Sequence, residues 1–128
     1  MDIKFSAIYF DASSEDEVLT VALSDNAHEP EDFLILQRAT EVDEQDVELG
    51  QDTYHVEIGN PGLAGYGGVD EVFIANDRLT FVFSDAVAWC KSIKTLEVRL
   101  SSQAEITGDL ADLLGAVFAG QSTRISRS

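Results

Sequence analysis

Arg78-Leu79-Thr80-Phe81-Val82-Phe83 places large apolar side chains at 79, 81 and 83, with Arg78, Thr80 and Val82 between them. A period of two over six residues is the mark of a strand with one buried face. Moving outward, the same alternation recurs at Leu96-Glu97-Val98-Arg99-Leu100, at Tyr54-His55-Val56-Glu57-Ile58 and at Asp70-Glu71-Val72-Phe73-Ile74. It recurs again at Leu19-Thr20-Val21-Ala22-Leu23 and at Phe5-Ser6-Ala7-Ile8-Tyr9. The run Phe33-Leu34-Ile35-Leu36 is apolar at every position, as expected of a strand covered on both faces.

Turn chemistry separates these runs. Asp11-Ala12-Ser13-Ser14 is expected to part the first two strands, and Asn60-Pro61-Gly62 to turn the chain. Asn76-Asp77 predicts a tight hairpin. Gly62, Gly65, Gly67 and Gly68 read as a tight loop with a bulge leading into a strand. A phosphate loop is a poor fit there, since Asp70 and Glu71 follow at once and would repel the anion.

Helical signals come late. Ser84-Asp85 can cap a short helix near 84–91. Leu110, Leu113, Leu114, Val117 and Phe118 stand at the spacing of one helix face, with Thr107 as a cap and Gly120 as a stop, so a second helix is expected near 107–119. The expected fold is α+β: a mostly antiparallel β-sheet with the short helix and a C-terminal helix packed on one face. Residues 1–120 are expected to form one domain and 121–128 a flexible tail. A length of 128 residues and an apolar fraction of 45% suit one self-sufficient core.

Twenty-four acids against eight bases give a formal charge of −16. Nucleic acid and anionic membrane should be repelled, and a basic partner attracted. Residues 11–52 concentrate the charge, with 14 acids and the single base Arg38. Two origins fit: contact with a cationic protein, or solvation in a halophilic host, for which the scarcity of lysine (Lys4, Lys91, Lys94) speaks. No basic-then-apolar leader or membrane-length apolar run is evident, so a cytoplasmic location is the expectation.

Chemistry-bearing groups are few. One cysteine, Cys90, permits neither an intrachain disulfide nor a cysteine zinc site. His28 and His55 are the only histidines, and no Gly-x-Ser-x-Gly elbow accompanies them, so no catalytic residue, metal or cofactor is assigned. The run Glu41 to Glu48 lacks the central glycine and ligand spacing of a calcium loop. Its carboxylates Asp43, Glu44, Asp46 and Glu48 suit instead a surface offered to lysine and arginine. Tyr54 and Tyr66 are candidate aromatic anchors beside them. A small-ligand binder or an enzyme of unknown class remains an alternative, as does an acidic chaperone for a secreted effector.

The order Leu34-Ile35-Leu36-Gln37-Arg38, Tyr54-His55-Val56, Tyr66-Gly67-Gly68-Val69, Arg78–Phe83, Ala86–Trp89, Leu96–Leu100 and the Leu-rich terminal helix resembles immunity protein family 10 of bacterial polymorphic toxin systems. The likeness runs from about Phe33 to Phe118 and leaves residues 11–32 outside it. It implies a mostly strand fold, no catalytic residues and a role as a cytoplasmic antidote. The antidote would bind a toxin encoded beside it, often a nuclease, by stoichiometric blockade. The sequence leaves the oligomeric state and the identity of the toxin open.

Overall fold

In a computed structural model of the chain, which describes residues 2–15, 18–26, 29, 31–39, 54–59, 62–75, 77–100, 109–119, 121 and 123–127, the alternating runs become ten strands. These are β1 (Asp2–Ala7), β2 (Tyr9–Glu15), β3 (Val18–Ser24), β4 (Phe33–Ala39), β5 (His55–Ile58), β6 (Leu63–Tyr66), β7 (Val69–Ile74), β8 (Arg78–Phe83), β9 (Thr95–Leu100) and β10 (Arg124–Arg127). A single helix, α1 (Asp109–Val117), is seen among the described residues. The strands form not one sheet but two of five strands each. Sheet I runs β1-β9-β8-β7-β10, and sheet II runs β2-β3-β4-β5-β6. Sheet II is antiparallel throughout. Sheet I is antiparallel in its centre, but both its edge strands, β1 and β10, pair in parallel.

One core lies between the sheets. Phe5, Val72, Leu79, Phe81, Leu96 and Val98 enter it from sheet I, and Val21, Leu23, Leu34, Leu36, Val56 and Ile58 from sheet II. Each fully buried side chain of this size contributes about 1.5–3 kcal/mol through its removal from water. Helix α1 packs against β3 and β4 and adds Leu114 and Val117, with Phe118 just beyond its end. The helix has no basic residue in its last turn. Arg38 of β4 takes that place, its Nη1 donating to the Val117 carbonyl at 2.9 Å, where a cation satisfies an orphan acceptor and the helix dipole together.

Several local expectations need correction. The N-terminal run is two strands, because the chain changes sheets at Ile8, whose N–H donates to the Ser24 carbonyl at 3.0 Å. The inward parity of Phe5 and Ala7 ends there, leaving Ile8 and Tyr9 47% and 42% exposed. Asp11–Ser14, expected as a turn, lies within β2, since pairing with β3 outweighs its polar composition. The Phe33–Leu36 run is not covered on both faces: Leu34 and Leu36 are buried, whereas Phe33 and Ile35 are only half-buried on the outer face. Within the segment expected as a tail, β10 pairs with β7, so that Arg124 reaches Glu71.

The expected helix near 84–91 is a run of turns. Its bonds span three residues rather than four, Cys90 N–H to Val87 O at 3.2 Å and Ile93 N–H to Cys90 O at 2.9 Å. So short a segment is a marginal helix alone, and its side chains are recruited elsewhere. Trp89 Nε1 donates to the Gly67 carbonyl at 3.1 Å. The Trp89 ring meets Phe83 edge-on with centroids 5.7 Å apart. The glycines receive it. A Cβ on Gly65 would lie 2.3 Å from the indole, and one on Gly68 would lie 2.7 Å from Cys90 Sγ at a φ of +97°. The cluster read as a loop thus contains the edge strand β6, while the expected irregularity falls between Val69 and Glu71.

Tyr54 joins the two layers. It directly precedes β5 of sheet II and is 2% exposed. Its hydroxyl accepts the Val69 N–H at 2.8 Å and donates to the Val69 carbonyl at 3.3 Å, at the start of β7 in sheet I. Thr123 Oγ1 donates to the same carbonyl at 2.6 Å, and the Gly67 N–H donates to the Tyr54 carbonyl at 3.0 Å. The Tyr54 ring meets Phe118 edge-on at 4.7 Å. Burial raises the phenol above its ordinary value of 10.0, with the bonds to Thr123 and Val69 pulling it back in part. Burial likewise raises the Cys90 thiol.

Gly68→Ala should therefore destabilise the protein by roughly 1–3 kcal/mol in urea denaturation, from the left-handed backbone alone, with the Cys90 clash adding to it. Gly115→Ala should act oppositely, since nothing lies within 4 Å of a Cβ there; a gain of about 0.5–1 kcal/mol is expected from helix propensity. Tyr54→Phe should cost about 1–3 kcal/mol by orphaning the Val69 N–H. A raised folded-state value means that the phenol's stabilising contribution is complete below pH 10.0 and is lost as pH rises through the folded value. The wild type should thus lose stability at alkaline pH more steeply than Tyr54→Phe, as melting curves from pH 8 to 11 would show.

Candidate functional site

Strand pairing dictates which side chains share the outer face of sheet II. The cross-strand rows there include three that bear on a site: Tyr9-Ser24-Phe33, Asp11-Ala22-Ile35-Glu57-Ala64 and Ser13-Thr20-Gln37-His55-Tyr66. Tyr9 and Tyr66 are among the most exposed large apolar side chains, at 42% and 41%. Tyr66 rests against His55, ring centroids 4.9 Å apart and edge to face. Phe33 lies over Gly59, where a Cβ would fall 2.3 Å from the ring. The only charged side chains in these rows are the acids Asp11 and Glu57.

The outer face of sheet I is different. It carries Lys4, Arg78, Arg99 and Arg124 among Asp2, Glu71 and Glu97. Glu97 lies 3.5 Å from both Arg78 and Arg99, and Arg124 pairs with Glu71. Both glutamates and all three arginines there are thus engaged in ion pairs within the fold. Among the described residues, the three outer rows of sheet II set exposed aromatic groups beside acids with no base among them.

Of the partner-facing candidates, Tyr66 is on this face and accessible. Tyr54 is not an anchor: its ring and hydroxyl are consumed by the core, because strand parity turns it inward next to Phe118. Asp43, Glu44, Asp46 and Glu48 lie outside the described residues. Tyr9, Phe33 and Ile35 were missed by sequence reasoning. The usable signal was the Phe33–Leu36 run itself, which placed apolar side chains on both parities of a strand when only one could face the core.

Cys90 is fully buried, with its thiol directed at the carbonyls of Ser84, Gly68 and Val87 at 3.5–3.8 Å, and burial holds it protonated. Among the described residues no group of three or more His, Cys, Asp or Glu could hold a metal ion, and no helix is long and apolar enough to cross a membrane. Two depressions on the sheet II side, of about 220 and 310 Å³, fall at or below the lower end of the roughly 300–1,000 Å³ of small-molecule pockets.

The segments that carry the family likeness serve this fold. Arg38 caps α1, and Tyr66-Gly67-Gly68-Val69 holds Trp89, Cys90 and Tyr54. No curated protein gives a significant match to the chain. The family described as Immunity protein 10 matches residues 4–109, so the likeness extends through the acidic residues 11–32 and stops at the first residue of α1. Covering most of the sequence, the match establishes that this chain belongs to the Immunity protein 10 family.

Proposed function

We propose that the protein neutralises a cognate toxin by stoichiometric blockade, covering a basic surface with which the toxin holds its own substrate. A nuclease is the toxin class that fits best, because enzymes acting on nucleic acid carry lysine and arginine to bind phosphate. The observation that carries the reading is family membership over residues 4–109. The charge of −16, with 14 acids in residues 11–52, supports the electrostatic part. Asp43, Glu44, Asp46 and Glu48 are the proposed charged contacts, with Tyr66 as an aromatic neighbour. The protein acts as a binder in the cytoplasm, and no step of its action is catalytic.

Opposite potentials steer encounter more than they strengthen the bound state, since pairing is offset by desolvation. Apolar anchors must therefore supply much of the affinity. Co-expression with the toxin encoded by the adjacent gene should abolish growth arrest, and unaltered toxicity would remove the proposal. Reversing the charge of Asp43, Glu44, Asp46 and Glu48 together should slow association by about 10-fold or more at low salt, and flatten its dependence on ionic strength. Stopped-flow association rates at several salt concentrations measure both.

A further inference from the structure

We propose, resting on that reading, that the outer face of sheet II is the toxin-docking surface and that the two clefts beside Phe33 each receive a basic side chain of the toxin. Phe33 is the rib between the clefts. Its ring lies against the bare backbone of Gly59, in space that any side chain at 59 would fill. One cleft is formed by Tyr9, Asp11, Ala22, Phe33 and Ile35, with a volume of about 220 Å³. The other is formed by Phe33, Glu57, Gly59, Leu63 and Ala64, with a volume of about 310 Å³.

Each cleft therefore pairs an aromatic wall with one carboxylate. That combination suits arginine or lysine: the methylene stem lies along the apolar wall while the charged head reaches the acid. A cation passing over Phe33 or Tyr9 also gains from the ring's negative face. Neither Asp11 nor Glu57 forms an ion pair among the described residues. Both are thus available to a partner, unlike Glu71 and Glu97 on sheet I.

Charge complementarity selects the occupant. These outer rows hold two acids and no base, on a chain of charge −16. A basic folded domain fits, and a second copy of this acidic chain does not. Asp11 and Glu57 stand in one cross-strand row, separated by Ala22 and Ile35. Three strand spacings put them about 14 Å apart. The toxin is then expected to present two basic side chains at about that separation, flanking a shallow concavity for Phe33.

Titration calorimetry against the isolated toxin domain encoded by the adjacent gene tests this. Tyr9→Ala and Phe33→Ala should each weaken binding about 10-fold or more, as central anchors do. Asp11→Asn with Glu57→Gln should weaken it and reduce its salt dependence. Phe73→Ala, equally exposed on the opposite face, should leave affinity within two-fold. Tyr9 and Asp11 are exposed, so losses at those positions do not arise from unfolding even if Phe33→Ala proves unstable. If the wild type binds and these variants bind equally well, the docking face is wrong while the toxin reading stands. If the wild type neither binds nor rescues, the functional reading falls and the docking face with it.

Discussion

The bond pair between the Tyr54 hydroxyl and the Val69 backbone is the constraint on which the rest of the structure hangs. Tyr54 belongs to the sheet II side, and Val69 opens a strand of sheet I. Two hydrogen bonds in a buried setting fix how β5 stands relative to β7. Thr123, through the same carbonyl, brings in the chain leading to β10, and Phe118 brings in the end of α1. A phenol can do this because it is apolar along its ring and polar only at its tip. Burying that tip unpaired would cost more than the bonds contribute, which makes the arrangement all-or-none.

The family-bearing residues acquire a physical meaning from this constraint. Gly67 and Gly68 let the backbone pass beneath Trp89 and Cys90, and Val69 then meets Tyr54. Arg38 reaches across from β4 to finish the helix. They hold together a two-sheet frame and leave its outer faces free to take different chemistry. On sheet I that chemistry is spent internally, in ion pairs that bring Glu97 to two arginines and Glu71 to one. On sheet II aromatic rings and acids remain uncommitted, a combination that costs a solitary protein solubility and rewards a bound one.

Much of the fold was legible because strands advertise themselves by parity. Leu79-Phe81-Phe83, Leu96-Val98 and Val56-Ile58 point inward as their alternation demands. The hairpin joining β7 to β8 was legible too, closed by Ala75 N–H to the Arg78 carbonyl at 3.0 Å. The division into two sheets was not, because period two reports a buried face without saying what lies opposite. The crossing at Ile8 shows as a parity slip only once the partners are known. The turns after β8 looked helical because Val87 and Cys90 sit at helical spacing. The tertiary pull of Gly67 on the Trp89 indole, which has no local signature, decided otherwise. Asp43, Glu44, Asp46 and Glu48 were conspicuous by charge, whereas Phe33 and Ile35 were hidden in a run that reads as core.

Carboxylate footprinting of the free protein and of its complex with the toxin would test the central claim most directly. On complex formation Asp11 and Glu57 should lose reactivity, while Asp2 and Asp77, on and beside sheet I, keep theirs. Protection of Asp2 and Asp77 with Asp11 and Glu57 still reactive would place the toxin on the opposite side of the molecule and contradict the assignment.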